Sequence, residues 1–117
     1  MSCVKSIASL LVAAATLVFA DVVAAPVKLL GLDDMSCTAW MNSRTDPEQQ
    51  LPYIQWVRGF LSGHNYASQA KQVSAVSNGT ISMYIDRYCK LKPMSTVAEA
   101  AMRMSDEYSG RNSAITK

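Results

Sequence analysis

Few side chains in this chain can do chemistry, and their spacing points to a covalent staple rather than to catalysis. Cysteines stand at Cys3, Cys37 and Cys89, and His64 is the single histidine in 117 residues. Redox work favours two cysteines held close as CxxC, whereas Cys37 and Cys89 lie far apart in the chain. Zinc asks for about four nitrogen or sulfur ligands, more than two thiols and one imidazole readily supply. A GxSxG elbow, a phosphate-binding glycine loop and an HExxH helix are all missing. The carboxylate pairs Asp33/Asp34 and Asp106/Glu107 are sequence neighbours that diverge around a helix, which reads as solvated surface. His64, next to Gly63, reads as a satisfied or exposed structural histidine in preference to a ligand or general base. No catalytic residue, metal site or cofactor is assigned, and an enzyme is not expected.

The N-terminal stretch places that thiol chemistry in a compartment. Lys5 supplies a positive start, and Ile7 to Ala20 is apolar apart from Ser9 and Thr16. Small residues then offer a cut after Ala20 or after Ala24, which together read as a secretory signal over residues 1–20. The rival, an uncleaved anchor, falls short of the roughly 20 apolar residues a spanning helix needs, and Asp21 interrupts the run. Stable membrane insertion after cleavage is therefore not expected, and the location is periplasmic or secreted. Cys3 leaves with the signal. An exported chain left with Cys37 and Cys89 reads as carrying one disulfide, worth roughly 4 kcal/mol through the unfolded state for a loop of that size.

Charge excludes one class of partner. Eleven Lys and Arg face nine Asp and Glu over the whole chain, and no basic face interleaved with aromatics appears, so nucleic acid is not expected. In acid, protonated carboxylates would leave the small body strongly positive and self-repelling.

The elements that must position Cys37 and Cys89 are helical. Tyr53, Trp56, Val57, Phe60 and Leu61 recur at three- and four-residue spacing, predicting a central helix over 51–70 with one apolar stripe. Beside the stripe run Gly59, Gly63 and Ala67. Two interior glycines each cost about 1 kcal/mol of helix propensity, so either a second helix packs closely there or a ligand or partner approaches the backbone. Before this helix, residues 21–32 read as an extended lead-in closed by Gly31. A short helix then begins near Asp33, Asp34 or Ser36 and runs through Met41 with Cys37, Trp40 and Met41 on one side. Asn42 to Pro52 reads as a loop, with Pro52 in the first turn of the central helix. After the Asn78–Gly79 turn, a third helix from Thr80 carries Ile81, Tyr84, Ile85, Tyr88 and Cys89 and stops before Pro93. Asn78–Gly79–Thr80 also matches a glycosylation acceptor, a short pattern with many chance matches. Thr96 with Glu99 forms a capping box for a last helix bearing Val97, Ala100, Ala101, Met104 and Tyr108, with Gly110 as its stop. Residues 33–110 thus make one helical domain and 111–117 a frayed tail. Cys37 and Cys89 both fall on apolar faces and can meet in the core. Met83, Met94, Met102 and Met104 read as core filling, with an adaptable binding surface as the alternative.

The order of these features resembles a known family. A signal, Ser36–Cys37 opening a short helix with Trp40, then YIQWVRGFLSG, then YIDRYCKLKP from Tyr84 to Pro93, then a capped helix is similar to the HdeA/HdeB family of periplasmic acid-stress chaperones. The GFLSG segment and the YIDRYCKLKP-to-helix pattern also resemble Rap1a/Tai-type periplasmic immunity proteins, which neutralise type VI secretion amidase effectors. Each resemblance implies a small all-α, four-helix, disulfide-linked domain with Cys37 and Cys89 as the bonded pair. The function implied is non-enzymatic protein binding; the residues themselves, apart from the resemblance, offer Tyr53, Trp56, Gly59, Phe60 and Gly63 as a helix-packing or partner surface. The partner is either unfolded clients of an acid-activated holdase or one specific effector, met by a loop at Asn42–Gln50 or Lys71–Thr80.

Overall fold

A computed structural model describes residues 27–109. Over that span the chain forms α1 (Cys37–Ser43), α2 (Pro47–Ala67), α3 (Asn78–Leu91) and α4 (Val97–Tyr108), with no strand among the described residues. The fold is the expected small all-α domain, and Cys37 and Cys89 are disulfide-bonded with Cα atoms 5.3 Å apart. The signal and both its cut sites, residues 21–26 of the lead-in, Gly110 and the tail lie outside the described residues.

Each helix begins where a side chain accepts a bond from an otherwise unpaired backbone N–H of the first turn. Ser36 caps α1 through Ala39 N, Asp46 caps α2 through Glu48 N, Ser77 caps α3 through Thr80 N, and Thr96 caps α4 through Glu99 N. Two expected starts move for that reason. The central helix starts at Pro47 rather than after a long loop, because Asp46 caps it and Pro47, whose N–H is not needed at the first position, opens it. Pro52 therefore sits inside the helix, where it has no N–H to offer Glu48; both residues are exposed, so water can take the freed carbonyl. The third helix starts at Asn78 because Ser77, not Thr80, caps it, which places Asn-Gly in a first turn rather than in a loop. At the other ends, α1 reaches Ser43 rather than Met41, and α2 stops at Ala67 rather than Ala70.

Packing follows from the apolar faces. α2 and α3 both lie against α4, and α1 rests on α2 and α3. Trp40, Ile81, Ile85, Met104, Val57 and Val97 are fully buried along with the two cysteines. The starts of α1 and α4 are joined directly: Cys37 N donates to Ser95 O at 3.0 Å and Val97 N to Met35 O at 2.7 Å. Two helix N-termini thus satisfy each other's first amides next to the disulfide.

The polar stretch after α2 contributes to the core as well, which its composition hid. Asn65 holds Val73 by both backbone groups, Nδ2 donating to its carbonyl at 2.8 Å and Oδ1 accepting from its amide at 2.7 Å. Arg58 donates to Val76 O at 2.8 Å and also bonds Asn78 Oδ1. These ties press Val73 and Val76 into the core.

Candidate functional site

The five residues expected to form a packing or partner surface divide between inside and outside. Tyr53 is buried; its hydroxyl donates to Asp34 O at 2.7 Å and its ring meets Trp40 edge-on at 6.0 Å. The buried stripe of α2 runs through Tyr53, Ile54, Val57 and Leu61, so the helix is rotated about its axis relative to the expected stripe. Trp56 and Phe60 consequently lie at the rim, half-buried and stacked with ring centroids 5.7 Å apart.

Among the described residues, no other helix packs on the glycine ridge. A Cβ placed on Gly59 or on Gly63 would meet nothing within 4 Å, and both positions are exposed. Close packing as the reason for these glycines is therefore overturned: the rotation that buries Ile54 turns Gly59 and Gly63 outward. No packing contact among the described residues offsets their helix-propensity cost.

From Pro52 onward the outward face is continuous and uncharged, and one turn earlier Glu48 stands exposed on the same arc. At 100° per residue, Pro52, Trp56, Gly59, Phe60, Gly63, Tyr66 and Ala67 occupy one arc of α2. Tyr66, which the sequence reading did not single out, is 87% exposed. Between Leu51 and Ala70 the formally charged side chain is Arg58, and it is turned to the 76–78 segment by its two bonds. The lead-in forms a bank along this face, Trp56 Nε1 donating to Leu30 O at 2.7 Å. Between bank and helix lies an open groove of about 380 Å³ with Lys28, Leu29, Leu30, Trp56, Phe60 and a floor at Gly59. Leu30 is itself 89% exposed, so apolar surface extends from the helix onto the lead-in.

The remaining polar groups serve the fold. Asp86 accepts from Trp40 Nε1 at 2.8 Å and pairs with Arg44 at 3.0 Å, tying α1 and the link after it to α3. His64 Nε2 lies 2.9 Å from Lys71 O and 2.9 Å from Ser109 Oγ. Since a carbonyl only accepts, Nε2 carries the proton and joins the ends of α2 and α4; it is a satisfied structural histidine. The Ser36 hydroxyl and then its backbone N–H hold the Asp34 carboxyl below the ordinary value. Burial pushes the Tyr84 and Tyr53 hydroxyls upward, aided by Glu107 and Asp34 respectively. No group of three His, Cys, Asp or Glu placed to hold a metal occurs among the described residues.

Both loops considered for insertion into a partner are changed by the structure. Most of Asn42–Gln50 is helix, at the end of α1 and the start of α2, and Lys71–Thr80 is held down by Asn65 and Arg58. Comparison with protein-family models, with curated proteins and with solved structures finds no match to this chain.

Proposed function

We propose that the chain is a non-enzymatic, exported protein-binding protein of HdeA/HdeB-like kind that engages a protein partner while folded. The carrying observation is the outward arc of α2, where Gly59 and Gly63 leave backbone open between the stacked Trp56/Phe60 pair and Tyr66. A contiguous uncharged stretch with one exposed tyrosine beside two half-buried aromatic rings has the composition of an interface core. Glycines four apart let a partner helix approach the α2 backbone closely, which would supply what the fold itself does not. An immunity-type inhibitor, bound to one folded effector, is the reading this preformed face favours. Export accords with the disulfide, and no helix among the described residues is long and apolar enough to cross a membrane.

One observation bears on a second reading, a chain that opens to bind unfolded clients: the junction of α1 and α3 is held by a single carboxylate, Asp86, which takes both Arg44 and the buried indole of Trp40. Opening there would release aromatic surface to unfolded clients while the disulfide limits expansion.

The experiment is binding at pH 7 to the secreted product of the neighbouring gene, where an effector of an immunity protein is normally encoded. Gly63→Leu and Trp56→Ala, each with native near-UV dichroism, should both abolish capture. Capture undiminished in both variants would remove this face from the proposal.

A further inference from the structure

A second surface stands apart from the α2 face, at the end of α3 and the turn into α4. Leu91 is 76% exposed and Met94 is 96% exposed, each far beyond what a rim residue shows. Met83, at 52%, lies on the same outer arc of α3 as Arg87, Lys90 and Leu91, spaced by four, three and one residues. Met83, Arg87 and Lys90 line one shallow groove together with Asp86. From Arg87 to Ala98 the chain carries three cations and no carboxylate.

We propose that this tip docks the protein reversibly on an anionic phospholipid surface. Leu91 and Met94 would enter the headgroup boundary, and Arg87, Lys90 and Lys92 would meet lipid phosphates. Two features of the geometry select a bilayer over a protein groove. Near-complete exposure makes Leu91 and Met94 protruding points rather than walls of a cleft, and a bilayer accepts protruding apolar points flanked by long cationic side chains. Charge at the tip is also net positive: Asp86 is engaged by Arg44 and Trp40, Glu99 of α4 accepts from Ser95 Oγ and lines one cleft with Lys92, Arg103 and Asp106, and Arg87 and Lys90 stand exposed outside that cleft. Cations at a helix C-terminus also favour the helix dipole, which accounts for Lys90 but for neither Leu91 nor Met94.

The test is co-sedimentation of protein recovered after export, its N-terminus fixed by intact mass, with vesicles of phosphatidylglycerol and phosphatidylcholine or of phosphatidylcholine alone. Binding should require phosphatidylglycerol and weaken with added salt. Lys90→Glu with Lys92→Glu should weaken it by more than about fivefold per site, the worth of one cation near an anionic surface. Leu91→Ser with Met94→Ser should weaken it roughly tenfold or more. All these positions are exposed, so near-UV dichroism should stay native. Equal binding to phosphatidylcholine alone, no binding, or binding unchanged in either double variant would overturn the proposal.

Discussion

At the scale of single residues, the Asp86 carboxylate ties α1 and the link after it to α3. It takes the indole N–H of fully buried Trp40 and the guanidinium of Arg44, which is partly exposed. Asp86→Ala leaves the indole donor without an acceptor and should cost about 2 to 3 kcal/mol, whereas Asp86→Asn keeps an acceptor and should cost roughly half that. Urea unfolding of the two variants measures the difference. The tyrosines make a second prediction. Tyr84 and Tyr53 have hydroxyls whose folded values lie above the ordinary 10.0, so their contribution is complete below that value and is lost as pH rises through the folded value. Melting temperature should therefore fall above about pH 10, and the fall should be shallower in Tyr84→Phe. Thr96 and Glu99 could be recognised from spacing because a cap is local. The Trp40–Asp86 bond could not, since neither residue carries a pattern that points to the other.

At the scale of elements, four helices and the apolar faces of all but α2 were legible because a 3.6-residue period is written in each segment. Helix starts were less so. Asp46–Pro47 and Ser77–Asn78 are start signals as good as those chosen, but Pro52 and the Asn-Gly pair carried stronger associations with a first turn and with a loop. The rotation of α2 was hidden for a different reason: Trp56 and Phe60 fit a buried stripe as well as Ile54 does, and only the neighbouring helices decide between them. The open ridge that results has a measurable consequence. Gly63→Ala adds a Cβ that meets nothing within 4 Å and removes backbone freedom from the unfolded chain, so it should stabilise the protein by up to about 1 kcal/mol. Thermal unfolding tests it, and a loss of stability would mean that Gly63 packs against something after all.

At the scale of the whole molecule, the disulfide fastens α1 to α3, and the paired N-termini of α1 and α4 lie beside it. Cys37→Ser should lower stability by roughly 4 kcal/mol in urea, and intact mass after alkylation of the wild-type protein should show no free thiol at Cys37 or Cys89. The staple was legible in the cysteine count, whereas the outward face of α2 was only half legible: Trp56, Gly59, Phe60 and Gly63 stood out in the sequence, but Tyr66 did not, and Tyr53 is buried. The central claim is that binding belongs to the folded state. Its most direct test follows near-UV dichroism and suppression of aggregation of an unrelated unfolding protein together, from pH 7 to about pH 3, below ordinary carboxylate values. The account predicts that native dichroism persists and that no suppression emerges in acid. Loss of the near-UV signal together with the onset of suppression would contradict it, and would transfer the function to the acid-opened chain.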